Sequence, residues 1–129
     1  MASRVKLMST KNSSTYALDA SSAGTIALGN GLNLLTVDSS LAIGGTYDLP
    51  SATDGWGEVI FGLFDYWGKF RVRANGAVTI LLAERDFEPT DTGAASGDLC
   101  LFDNGTNARF INRQTGAIDI MFHYFYREG

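Results

Sequence analysis

The chain offers few residues that could do chemistry, and the types and spacing of those few decide most of what can be read. His123 is the only histidine, set between Phe122 and Tyr124 in an apolar run. A base–nucleophile pair needs a marked Ser or Cys partner and an orienting group, and no such motif accompanies it. A packed or interfacial histidine is the better reading. Cys100 is the only cysteine and lies between Leu99 and Leu101. Apolar neighbours make a thiol inert rather than nucleophilic. A single cysteine also excludes an internal disulfide and any multi-cysteine zinc site. The acidic stretch Glu84-Arg85-Asp86-Phe87-Glu88-Pro89-Thr90-Asp91-Thr92-Gly93 has enough carboxylates to suggest calcium. Its spacing is not that of a calcium loop, and Arg85 interrupts it, so it reads as a solvated loop. Gly29-Asn30-Gly31 and Gly44-Gly45 match neither a dinucleotide fingerprint nor a phosphate loop and read as turns.

Binding chemistry has more candidates than catalysis. Lys69, Arg71 and Arg73 alternate along one strand face, where a solvated face outweighs a phosphate site. Trp56, Tyr66 and Trp67 bracket an apolar run. Large aromatics near loops form either core corners, interface anchors or platforms for sugars.

Positioning these residues falls to strands. No segment holds an apolar stripe at helical spacing over three turns. Short β-branched and aromatic runs broken by Gly, Asn-Gly and Thr-Gly occur instead, which predicts an all-β fold, an antiparallel β-sandwich or jelly roll of about eight to ten strands. Short strands are expected near Arg4–Met8, Thr15–Leu18, Thr25–Leu28, Leu34–Val37 and Thr46–Leu49. Around Asn75-Gly76, a three-residue loop pairs Val72 with Val78 and Phe70 with Ile80, which sorts apolar from polar faces. A two-residue Asn104-Gly105 turn would pair Leu101 with Ala108 and Leu99 with Phe110. A three-residue loop at Gln114-Thr115-Gly116 would then set Phe110 opposite Ile120 and Ala108 opposite Phe122. Leu99, Leu101, Ala108, Phe110, Ile118, Ile120, Phe122 and Tyr124 would form one core face across three strands.

Two segments break the alternation. Gly57 to Trp67, read as one strand, is apolar on both parities, and so is the last strand, where Met121, His123 and Phe125 oppose the core set. A strand with two apolar faces needs both covered. In 129 residues the cover is either the N-terminal segment or another subunit, so the pattern predicts an oligomer.

Composition bounds the rest. A chain of 13.9 kDa makes one domain. Residues 1–55 hold 15 of the 21 Ser and Thr but only two of the aromatics, Tyr16 and Tyr47. Aromatics supply most burial per residue, so the division expected is an N-terminal arm with short strands at 1–45 and a sandwich core at 46–129. A net charge of −4 argues against general nucleic-acid binding. Every apolar stretch is too short to cross a bilayer, which predicts no membrane span. The opening MASRVKLMSTKNSS lacks the apolar core of a signal peptide. No cofactor or metal is expected.

The stretch Gly97-Asp98-Leu99-Cys100-Leu101-Phe102-Asp103-Asn104-Gly105-Thr106-Asn107-Ala108-Arg109-Phe110-Ile111-Asn112-Arg113-Gln114-Thr115-Gly116, followed by a strand, resembles the ends of small tailed-bacteriophage structural proteins. These are capsid decoration (cement) proteins and the β-sandwich heads of fibres. The likeness covers somewhat more than the C-terminal half of the chain. It is one of turn spacing and ending, so it carries no functional residue over. It implies a trimer of β-sandwiches on the outer capsid surface, bracing neighbouring major capsid subunits and assembled in a bacterial host cytoplasm. A reduced cysteine suits that compartment. The expectation is therefore a non-enzymatic virion protein. A receptor-binding fibre or spike head that recognises a host-surface glycan is the alternative. A metal-dependent jelly-roll enzyme would need a His/Glu cluster that one histidine cannot supply. The expected interface comprises Arg4, Lys6 and Leu7 of the arm with Trp56, Tyr66, Trp67, Met121, His123 and Phe125.

Overall fold

Period-two alternation needs strands, and the computed structural model is built from them. It describes residues 5–11, 14–20, 23–62 and 66–128, with residues 5–11, 14–20 and 23 described in backbone only. The strands are β1 (Val5–Lys11), β2 (Ser14–Ala20), β3 (Ala23–Gly29), β4 (Leu32–Leu41), β5 (Thr46–Asp48), β6 (Thr53–Phe61), β7 (Tyr66–Val72), β8 (Val78–Ala83), β9 (Phe87–Glu88), β10 (Leu99–Asp103), β11 (Ala108–Asn112) and β12 (Ile118–Glu128). All five short strands expected before residue 50 form, and the total exceeds the expected eight to ten. The run Gly57–Trp67 is not one strand: its first part ends β6 and its last two residues begin β7. Gly62, at φ +64°, turns the chain away at the end of β6.

A six-stranded sheet has the order β3-β4-β12-β6-β7-β8, and a four-stranded sheet the order β5-β11-β10-β9. The two pack face to face as a β-sandwich. β1 and β2 pair with each other as a hairpin. Every pairing is antiparallel except β9 with β10, where Leu99 aligns with Phe87. The expected division at residue 45 does not coincide with a sheet boundary: β3 and β4 precede it and belong to the six-stranded sheet.

The Asn75-Gly76 hairpin has the expected register, Val72 to Val78 and Phe70 to Ile80. Gly76 takes φ +90°, and Arg73 N–H donates to the Ala77 carbonyl at 2.9 Å. The next hairpin differs from expectation. Leu101 pairs with Phe110 and Leu99 with Asn112 across a four-residue loop, Asn104 to Asn107. Asn104 explains the longer loop. Its side-chain oxygen accepts from Thr106 N–H and Asn107 N–H, both at 2.8 Å, so the wide turn satisfies its own backbone. The register slips by two, and a slip by two keeps every side chain on its face.

The larger correction concerns β11 and β12. They are not a hairpin. β12 leaves the four-stranded sheet and enters the centre of the other, between β4 and β6. Asn112 anchors that crossing. It is fully buried, and its amide donates to the carbonyls of Leu41 (3.1 Å), Ala42 (3.2 Å) and Gly116 (2.9 Å) while its oxygen accepts from Gln114 N–H (2.9 Å). The expected core set is buried all the same. Its members face each other across the sandwich instead of lying side by side. Phe110 meets Phe122 with ring centroids 4.9 Å apart, and Phe70, Phe87 and Tyr124 close the cluster. Each fully buried ring of this kind contributes about 1.5–3 kcal/mol by leaving water.

Candidate functional site

β12 alternates strictly. Ile118, Ile120, Phe122, Tyr124 and Tyr126 enter the core, so Met121, His123 and Phe125 must lie on the outer face of the six-stranded sheet. Register then builds rows across that face. Phe125 lies between Leu34 of β4 and Trp56 of β6, with Arg71 of β7 beyond. His123 lies between Thr36 and Glu58, with Lys69 beyond. Met121 lies between Asp38 and Ile60, with Trp67 beyond. The second apolar parity seen in the sequence is therefore one continuous face: Leu34, Phe125, Trp56, Met121, Ile60 and Trp67, with charges threaded through it. Leu34 and Thr36, on its β4 side, are buried, and Trp56 stands out from it.

Aromatic contacts stiffen the centre. Trp56 lies against Phe125 with centroids 4.9 Å apart, and His123 meets both rings edge-on at 6.3 Å and 5.4 Å. His123 is half-buried, and burial holds its pKa below the usual imidazole value although Glu58, on the neighbouring strand, pulls it up. Burial therefore favours the uncharged form of the ring. A small apolar slot of about 100 Å³ opens between Glu58, Ile60, Met121 and His123.

The charged residues of β7 have local partners. Lys69 Nζ lies 3.8 Å from Glu58 and 5.5 Å from the Trp56 ring centre. Arg71 donates to Asp54 at 2.6 Å. These contacts suit the reading of Lys69 and Arg71 as a solvated face rather than a phosphate site. Beside them, at the end of the sheet, an open cleft of about 440 Å³ is bounded by Leu32, Asp54, Trp56, Arg71, Phe125 and Arg127, with Glu128 at its rim.

Of the nine expected interface residues, Trp56, Trp67, Met121, His123 and Phe125 converge on this face. Tyr66 does not join them. Its parity points toward the core side, where its ring meets Phe61 at 5.5 Å and its hydroxyl accepts from Arg85 at 2.7 Å. Lys6 and Leu7 fall in β1, of which only the backbone is described, and Arg4 lies outside the described residues. Leu34, Ile60, Glu58 and Asp54 belong to the face but were not singled out. The alternation of 54–60 against Gly55, Gly57 and Val59 carried the signal.

The catalytic candidates stay apart. Cys100 is buried in the four-stranded sheet, 3.3 Å from Thr92 Oγ1, far from the outer face that holds His123. In the acidic loop, Asp91 is committed to Arg113 through two hydrogen bonds of 2.8 Å. Those bonds, with one from Gly93 N–H, hold its carboxyl down at about 2. Among the described residues no helix is long and apolar enough to cross a membrane. Comparison of the chain with protein-family models, curated proteins and solved structures gives no significant match.

Proposed function

We propose that the protein is a structural virion subunit, a trimeric decoration (cement) protein. In this reading it docks the outer face of its six-stranded sheet against neighbouring subunits and braces a bacteriophage capsid from outside. One observation carries the docking part: five large side chains on three adjacent strands, Trp56, Trp67, Met121, His123 and Phe125, share a face turned away from the core. Apolar surface of this kind, threaded with charges that fix register, is the usual anatomy of a protein interface. The virion placement and the trimer come from the resemblance of residues 97–116 and the strand after them to phage structural proteins. No covalent chemistry is required. Interface burial raises the barrier to capsid disassembly.

The test has two arms. Light scattering during size exclusion should give a mass three times the 13.9 kDa of one chain. Sedimentation with capsids stripped of this protein should show loading at a fixed multiple of the capsid's subunits, and Met121→Lys should abolish the loading while leaving the urea midpoint nearly unchanged. A mass of 13.9 kDa together with no capsid loading would reject the proposal.

A further inference from the structure

The cleft at the end of the outer face has a composition that docking alone does not account for. Its wall is Trp56, the most prominent aromatic on the described surface at 42% exposed, backed by Phe125. The Arg71–Asp54 pair, joined at 2.6 Å, also lines it, as do Arg127 and Glu128. The Arg71–Asp54 pairing leaves Arg71 Nε without a hydrogen-bond partner among the described residues, so this guanidinium is incompletely satisfied where it stands. An acceptor arriving from a ligand gives it a reason to reorient.

These groups fit one kind of molecule. Two guanidinium groups and two carboxylates sum to no net charge, which disfavours phosphates and acidic ligands. Planar donors and acceptors beside an aromatic surface suit vicinal hydroxyls on one edge and a C–H face on the other. A volume of about 440 Å³ is within the range of small-ligand sites. We propose that the cleft binds a neutral hexose unit, its C–H face on the Trp56 indole and adjacent hydroxyls on Asp54 and Arg71. Lys69 touches the same indole without lining the cleft. Its ammonium lies 5.5 Å from the ring centre and 3.8 Å from Glu58, a weak exposed contact that sugar binding does not require. The cleft reading does not rest on the docking reading, since a sugar can occupy the end of the face whether or not its centre is covered.

The probe is Trp56 emission in a Trp67→Phe chain, which leaves Trp56 as the single tryptophan. The methyl glycosides of glucose, galactose, mannose and N-acetylglucosamine are titrated to about 100 mM, well past the dissociation constant on the order of 1–10 mM expected of a single exposed sugar unit. At least one should give a saturable shift. Asp54→Asn should weaken it at least tenfold. Lys69→Ala should leave it unchanged or tighten it, the opposite of what a direct lysine contact would give. Met121→Lys, which blocks docking, should not alter it, so the two proposals fail separately. Saturation-transfer NMR on the unaltered chain with the same glycosides gives an answer that does not depend on the Trp67→Phe chain folding. No saturable signal by either method, an unaffected Asp54→Asn, or loss of binding in Lys69→Ala would overturn the proposal.

Discussion

Gly57→Ala should be among the most damaging one-carbon changes in the chain, and Gly116→Ala among the mildest. Gly57 lies in β6 on the core side, opposite Tyr124. A Cβ built there falls 2.2 Å from the His123 carbonyl oxygen and 2.7 Å from Phe70 Cζ. The ring could yield a little. The carbonyl cannot, because it belongs to β12, whose pairing with β6 runs down the centre of the sheet. Overpacking a core costs about 1–3 kcal/mol, and a clash with backbone belongs at the top of that range. Alanine's restriction of the unfolded chain returns about 0.4–1 kcal/mol. The net loss should be about 2–2.6 kcal/mol. At Gly116 the added carbon meets nothing within 4 Å, so only the unfolded-state term remains and the change should be neutral to mildly stabilising. Urea unfolding followed by tryptophan emission reads both. With a slope of about 2 kcal/mol/M, Gly57→Ala should lower the midpoint by about 1–1.3 M. If both variants fall equally, or if Gly57→Ala stays within about 0.3 M of the parent, the tight apposition of β6 and β12 described above is wrong.

Three further outcomes follow from the same structure. Phe110→Ala should cost about 4 kcal/mol, and a double-mutant cycle with Phe122→Ala should show coupling of about 0.5–1.5 kcal/mol; additive losses would mean the two rings do not meet across the sandwich. The Asp91 carboxyl is held down to about 2 when folded and returns to the ordinary carboxylate range, near 3.9, when unfolded. Its contribution is therefore full above about pH 4 and lost as pH falls toward 2, so urea midpoints measured from pH 5 to pH 2 should fall less steeply in Asp91→Asn than in the parent. Asp48→Asn removes the bidentate Arg109 pair, whose bonds are 2.6 Å and 3.0 Å, yet should cost less than about 1 kcal/mol because the pair is exposed to solvent; a larger loss in the urea midpoint would contradict that.

The sequence was most legible where parity alone decides. Leu99, Leu101, Ala108, Phe110, Ile118, Ile120, Phe122 and Tyr124 are all buried, although all four residue pairings drawn to unite them are wrong. The Asn104 loop is two residues longer than the Asn-Gly signal suggests, and an even slip moves no side chain to the other face. The β11–β12 pairing failed for a different reason. Gln114-Thr115-Gly116 marks a reversal of the chain, but a reversal within a sheet and a crossing between sheets use the same turn residues. At the start of the crossing Asn112 bonds to Leu41 and Ala42 in the first third of the chain, and no local pattern announces a partner that distant. Gly62 was hidden in the same way inside an apolar run that reads as one strand.

The second apolar parity was the one irregularity with a consequence for function. Met121, His123 and Phe125 carried it in β12, and Trp56 and Ile60 carry it in β6, yet nothing in the sequence says these strands are neighbours. About half the chain separates them. The crossing at Asn112 is what inserts β12 between β4 and β6 and turns two unexplained parities into one surface. Had β11 and β12 formed a hairpin, Met121, His123 and Phe125 would lie beside β11, and Trp56 would stand in the other sheet. The crossing that Asn112 anchors therefore also assembles the face. A variant that frees β12 from that crossing should lose the docking surface and the sugar cleft together, because Phe125 and Trp56 contribute to both.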